Sequence, residues 1–158
     1  LQPLERVCQF VKAKCASQNV QLIQEFHPEI PRTMFDPSHL EQIFLNFILN
    51  ALTAMPYGGT LTIRTSHKSS ETTGDMREAI CIEFIDTGTG IRKENLSKIF
   101  DPFFTTKKDG VGLGLSVARQ VIEQHRGTIG LESEEGKGTT MKVYLPVLQE
   151  KAGHKRGE

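Results

Sequence analysis

The segment from Asp36 to Met55 constrains the fold more tightly than any other stretch of the chain. Asp36-Pro37 pairs an N-cap side chain with a proline at the first helical position, which predicts a helix start. The helix should run to about Met55, before Pro56 and the Gly58-Gly59 turn. At about 100° per residue, His39, Gln42, Asn46, Asn50 and Thr53 fall within about 80° of one another. Outside that stripe nearly every residue from Leu40 to Leu52 is apolar, Glu41 excepted. Such a helix must be covered over most of its girth, which demands a layered domain around it. A narrow solvent face is one account of the stripe, yet solvent faces usually carry Lys and Glu. This one carries amides, a histidine and a hydroxyl. Buried amides need partners, and the carbonyl oxygen of an asparagine is a hard ligand suited to Mg²⁺.

The remaining elements follow from periodicity. Leu4, Val7, Cys8, Val11 and Cys15 have helical spacing over 4–18, and 20–26 alternates loosely as a strand, with a short one at 32–35. Residues 60–67 alternate cleanly, 68–77 reads as a polar turn or flexible loop, and 78–85 is a strand that runs into Asp-Thr-Gly-Thr-Gly. A short helix is expected over 92–98, a mobile glycine- and lysine-rich loop over 100–114, and a second amphipathic helix from Leu115 to about His125. Strands at 127–133 and 139–145 close the pattern. The expected fold class is α/β, a two-layer α/β sandwich with about three helices on one face of a mixed sheet of about five strands. One domain should span 1–147, with 148–158 a disordered tail.

Composition bounds the function. The 158 residues carry 19 Lys+Arg against 19 Asp+Glu, a balance that argues against a general nucleic-acid binder. No apolar run approaches the roughly 20 residues needed to span a bilayer, and no signal peptide is evident. The start at Leu1 without a methionine is what an excised domain or processed fragment would show. Cys8, Cys15 and Cys81 form no CxxC and are expected to be reduced, buried thiols of a cytosolic protein that hold no metal.

Three further motifs carry chemistry. Asp86 ends an apolar strand and opens a glycine-flanked loop, where its carboxylate could accept hydrogen bonds from amino groups, or serve only to cap a turn. Gly110, Gly112 and Gly114 lead into a helix, an arrangement that suits phosphate at a helix N-terminus as well as it suits a simple flexible turn. Their GxGxG spacing is neither the GxGxxG of a dinucleotide fold nor a P-loop. Lys107 and Lys108 could meet a phosphate or merely keep the loop soluble. Phe100, Phe103 and Phe104 cluster at the start of that loop, as core residues or as a hinge that closes it. The turn Gly136-Lys137-Gly138-Thr139 is the least specific feature, and a tight hairpin accounts for it.

Taken in order, these segments resemble the ATP-binding domain of bacterial sensor histidine kinases, within the wider GHKL (Bergerat-fold) superfamily. The resemblance covers roughly 4–147. It rests on EQIFLNFILNALTAM (41–55), DTGTGI (86–91), IFDPFFTTK (99–107), GVGLGLSVARQVIEQH (110–125) and GKGTTMKVYLP (136–146). It implies that Asn50, with Asn46 one turn earlier, holds Mg²⁺ against the triphosphate of ATP. Asp86 would take the adenine amino group, supported by Gly88, Gly90 and Ile91, with Thr139 nearby. The 101–113 loop would be the ATP lid, contributing Phe104, Lys107, Gly110, Gly112 and Leu113. Gly114 and Leu115 would open the phosphate-facing helix.

Departures from the family pattern sharpen that implication. Hydrolytic relatives of the gyrase, mismatch-repair and chaperone types carry a water-activating Glu four residues before the Mg²⁺ asparagine. Here Asn46 stands there, and an amide cannot accept a proton. Glu41 lies on nearly the opposite face of the helix. Thr87 stands where the family often has Asn, and Arg126 where Gly is common; both are expected to tune the pocket. None of His27, His39, His67, His125 or His154 fits a phosphoacceptor site. The expected partners are a dimerisation and phosphoacceptor domain of the same protein and a downstream response regulator. Neither nucleic acid nor direct membrane contact is expected of the domain. It should be monomeric and cytoplasmic, with the full-length protein open to an inner-membrane anchor. A GHKL serine kinase or ATPase, and a nucleotide-responsive interaction module, are the rival readings.

Overall fold

The computed structural model describes residues 1–33, 35–69, 78–101 and 114–147. Helix α1 (Gln2–Ser17) leads to strand β1 (Val20–Glu25), helix α2 (Pro37–Thr53), β2 (Gly59–Ser69) and β3 (Glu78–Asp86). Helix α3 (Gly114–Gln124), β4 (Thr128–Glu134) and β5 (Gly138–Pro146) complete it. The sheet order is β1-β2-β3-β5-β4. β1 runs parallel to β2 and the other pairs are antiparallel, so the sheet is mixed. Among the described residues, five strands and three helices match the architecture expected from the sequence.

Two expected elements are reduced. The segment 92–98 forms only a single 3₁₀ turn at Lys93–Asn95, followed by further turns. The N–H groups of Asn95, Leu96, Lys98 and Asp101 all bond three residues back, to Arg92, Lys93, Asn95 and Lys98. In place of a strand at 32–35 the described residues of that segment show one isolated bridge, Thr33 to Val147. The proposed tail at 148–158 lies outside the described residues, as does 70–77 of the polar loop.

α2 is the axis of the core. Asp36 caps it, its carboxylate accepting the N–H of Ser38 at 2.8 Å. Leu40, Ile43, Phe44, Phe47, Ile48, Ala51 and Leu52 are buried, and Phe44 and Phe47 pack on Phe84 of β3 with ring centroids 5.7 and 5.5 Å apart. Ile63, Ile80, Ile82, Val143 and Leu145 face the same layer. Burying each such side chain contributes roughly 1.5–3 kcal/mol. All three cysteines are buried and free; burial pushes the Cys8 thiol up to about 11, so it stays protonated at neutral pH.

The opposite face of the sheet carries a charge ladder across all five strands. Glu25 pairs with Arg64 at 2.6 Å, Arg64 with Glu83 at 3.7 Å, and Lys142 lies between Glu83 (4.0 Å) and Glu132 (3.4 Å). Each exposed pair contributes little on its own. Together they account for part of the balanced charge and keep this face wet, so the helices share the other.

Arg126, expected to tune the pocket, terminates α3. Its φ is +62°, and the N–H groups of Gly127 and Arg126 reach back to the carbonyls of Ile122 (2.9 Å) and Glu123 (3.0 Å). This is a Schellman termination, which wants glycine at the left-handed position. Arg126→Gly is therefore expected to stabilise the domain by about 0.5–1 kcal/mol, read as a raised thermal midpoint. An unchanged or lowered midpoint would contradict the assignment of strain to this residue.

Candidate nucleotide site

Strand register gathers the candidate residues at one end of the sheet. Asp86 pairs with Leu61 on one side and Thr139 on the other, and Thr139 pairs with Ser133. Directly paired residues point to the same face, so Leu61, Asp86, Thr139 and Ser133 form one row facing the helices. Asp86 is 8% exposed. Its Oδ1 accepts the backbone N–H of Gly88 at 2.9 Å and of Thr139 at 3.3 Å. Both bonds converge on one oxygen, and Oδ2 has no partner among the described residues. Burial raises the carboxyl pKa, and those two N–H groups oppose the rise.

The first glycine loop is fixed by contacts that leave no room for side chains. A Cβ on Gly88 would lie 2.6 Å from the carbonyl oxygen of Ala54, at the end of α2, and Thr89 donates its N–H to that same oxygen at 3.0 Å. Gly90, at φ +69°, abuts the Glu134 carbonyl, where a Cβ would come within 2.1 Å. Thr87 is tied to β2. Its N–H reaches the Thr60 carbonyl at 3.2 Å, while its hydroxyl accepts the Thr60 N–H at 3.0 Å. It joins β2 to β3 beside Asp86.

The amide stripe of α2 divides into parts. Thr53 spends its hydroxyl on the Leu49 carbonyl of its own helix, at 2.9 Å. His39 is exposed and sits edge-on to His125 with ring centroids 6.1 Å apart. Asn46 and Asn50 are half-buried, and Asn46 meets the start of α3: a Cβ on Gly114 would lie 2.8 Å from its Nδ2 and 3.0 Å from its Oδ1. The two motifs, far apart in sequence, thus touch at the N-terminus of a helix. Leu115 packs against the core. Glu41 points the other way, paired with Arg6 of α1 at 3.2 Å. Phe100 sits half-buried at the core's edge under the Arg119 guanidinium, 5.1 Å from its ring centroid. Phe104, Lys107, Gly110, Gly112 and Leu113 lie outside the described residues.

Two residues were not legible as site residues. Ser133 accepts the N–H of Ile91 at 2.8 Å and lies 3.0 Å from the Gly138 carbonyl and 2.8 Å from the Thr139 hydroxyl. A lone serine between glutamates in an alternating strand gives no hint of this. Gly138 is more than a hairpin glycine: at φ +128° it presses on the Asp86 carbonyl, where a Cβ would come within 2.0 Å. A separate cleft of 270 Å³, between the start of α1 and the far end of β1, includes Thr65, about 13 Å along β2 from Leu61. It brings none of these groups together.

A buried carboxylate with one oxygen unpartnered among the described residues, a clamped glycine loop and an amide at a helix start are the features a nucleotide-binding class presents. The chain belongs to the histidine kinase-, DNA gyrase B-, and HSP90-like ATPase family, which matches residues 35–149. Within it, the chain is an ATP-binding catalytic domain of the histidine kinase type. It is 37% identical over 139 residues to the sensor histidine kinase ZraS of Escherichia coli (strain K12), covering 88% of this chain and 28% of that protein. It is 36% identical to sporulation kinase E of Bacillus subtilis (strain 168), covering 88% of this chain and 18% of that one. The chain spans under a third of the length of these relatives. The catalytic domain of histidine kinase ThkA superposes with a TM-score of 0.78 at 28% identity, covering 92% of each chain.

Proposed function

We propose that this domain binds Mg-ATP and donates the γ-phosphoryl group to a histidine on a separate dimerisation domain of the same protein, which then passes it to a response regulator. The observation that carries the reading is the pair of half-sites just described: Asp86 with an Oδ2 unpartnered among the described residues, and Asn46 against the first residue of α3. Asp86 accepts the adenine amino group and Thr139 lies beside it. The triphosphate runs toward Asn46, Asn50 and the α3 N-terminus, where the helix dipole favours anions. The lid role that the resemblance gives to Phe104, Lys107, Gly110, Gly112 and Leu113 belongs to the same reading; these residues lie outside the described ones.

The donor chemistry fits Mg²⁺ that arrives with the nucleotide. Among the described residues no three His, Cys, Asp or Glu side chains form a cage, whereas Asn50 offers a neutral oxygen of the kind Mg²⁺ accepts alongside phosphate and water. Bound there, the ion would neutralise charge on the transferring phosphoryl group. Asn50→Ala is expected to weaken ATP binding about tenfold with Mg²⁺ and to leave binding in EDTA unchanged. Equal affinity of variant and wild type in Mg²⁺ would remove Asn50 from the metal site.

Asn46 and Glu41 bear on the direction of transfer. Neither places a proton acceptor at the phosphate: one is an amide, the other is engaged with Arg6. The site holds ATP and withholds a base from water. Incubating the full-length protein with γ-labelled ATP should yield an acid-labile, alkali-stable protein phosphate, while the isolated domain should bind ATP and hydrolyse it slowly. Rapid turnover by the isolated domain, or an acid-stable phosphoester on the full-length protein, would overturn the reading. No helix among the described residues is long and apolar enough to cross a membrane. Cytoplasmic placement, with any membrane anchor elsewhere in the full-length protein, fits the proposed use of ATP.

A further inference from the structure

We infer that Ser133 is a positioning residue for base selection: it consumes the hydroxyl proton of Thr139, so that Thr139 faces the nucleotide as an acceptor only. The inference rests on the adenine-site reading above. A serine hydroxyl has one proton and two lone pairs. Ser133 Oγ has three neighbours: the N–H of Ile91 at 2.8 Å, which can only donate; the carbonyl of Gly138 at 3.0 Å, which can only accept; and the Thr139 hydroxyl at 2.8 Å, which can do either. One arrangement satisfies all three. Ser133 donates to Gly138, accepts from Ile91, and accepts from Thr139 with its second lone pair. The reverse polarity would take the serine proton away from the Gly138 carbonyl and leave a serine lone pair idle.

The consequence reaches the base. With its proton committed to Ser133, the Thr139 hydroxyl offers lone pairs toward the row it shares with Asp86. Asp86 Oδ2 is also an acceptor. Two acceptors side by side suit a 6-amino purine and oppose a 6-oxo purine, whose oxygen has no proton to give. Freeing the threonine proton would let Thr139 rotate and donate, which removes half of that opposition. Ser133 therefore acts on selectivity through Thr139 without touching the nucleotide.

The test compares ATP with inosine triphosphate, which replaces the 6-amino group by a 6-oxo group. In wild-type protein ATP should bind more tightly. Ser133→Ala should weaken ATP about tenfold while leaving inosine triphosphate within about twofold, so the preference narrows by roughly an order of magnitude. Ser133→Thr, which keeps the hydroxyl, should restore the preference. In a Thr139→Val background, adding Ser133→Ala should not change the preference further. Should Ser133→Ala fail to fold, Ser133→Cys keeps the volume, weakens the same bonds and gives the same readout. Parallel loss of both nucleotides, with the ratio unchanged, would mean a merely structural serine and overturn the inference. Failure of the underlying reading looks different: wild type and Asp86→Asn would then bind ATP equally.

Discussion

Asp86→Asn is expected to lower ATP affinity by roughly 100-fold or more while leaving the nucleotide-free fold as stable as wild type, or more so. The separation follows from which oxygen does what. Oδ1 takes both backbone N–H groups, from Gly88 and Thr139, and an asparagine carbonyl can keep both. Oδ2 becomes an NH₂ group, which meets the adenine amino group donor to donor. A lost charge-assisted hydrogen bond of about 1.5–3 kcal/mol is compounded by a polar group left unpaired. Stability moves the other way because the wild-type charge is buried. Burial raises the folded pKa of Asp86 above its ordinary 3.8, so the folded state binds this proton more tightly than the unfolded state. The penalty is absent below 3.8, develops as pH rises through the folded value, and is complete above it. Thermal midpoints of the two nucleotide-free proteins should therefore diverge in favour of the variant between acid and neutral pH. Calorimetric titration with ATP, with melts across that range, checks both halves. Unchanged affinity would remove Asp86 from the site, and a variant that melts lower at neutral pH would refute the burial argument.

The parts of this domain that are legible in the sequence are those set by short-range physics. Asp36-Pro37 announces α2 because a cap bond and a fixed φ are local, and the apolar residues of α2 announce its burial because periodicity is local too. Asn46 and Gly114 were each visible as polar or glycine anomalies, but their contact is a matter of helix packing across 68 positions. The family pattern, not spacing, put them together. The segment 92–98 shows where local pattern misleads. Leu96, Ile99 and Phe100 have helical spacing, yet the chain must leave Gly90 in a left-handed turn and arrive at Pro102, which disfavours helix before it. Only three-residue-back bonds survive between those limits. Ser133 stayed hidden for the opposite reason. Its role depends on the register of β4 against β5 and on the loop after β3 returning to it, and neither is written near it.

Gly138→Ala should be the most damaging single change in the C-terminal hairpin, costing on the order of 3 kcal/mol and weakening nucleotide binding along with stability. Three glycines of that hairpin separate the causes. Gly130 has ordinary backbone geometry and open space where a Cβ would go, so alanine there should be neutral or stabilise by about 0.4–1 kcal/mol through the unfolded chain. Gly136 has φ +81° but open space, so alanine should cost only the backbone term, about 1 kcal/mol. Gly138 has both φ +128° and a Cβ position 2.0 Å from the Asp86 carbonyl oxygen and 3.1 Å from the Thr87 Cα. Those neighbours are main chain, and no rotamer change relieves them. β5 would have to leave β3 at the Asp86–Thr139 pair, which is where the Thr139 N–H holds the carboxylate. Denaturant midpoints for the three variants should fall in the order Gly130, Gly136, Gly138, and only Gly138→Ala should lose affinity for ATP. If Gly138→Ala unfolds no more easily than Gly136→Ala, or keeps its full affinity for ATP, the close approach of the hairpin does not set the geometry of Asp86.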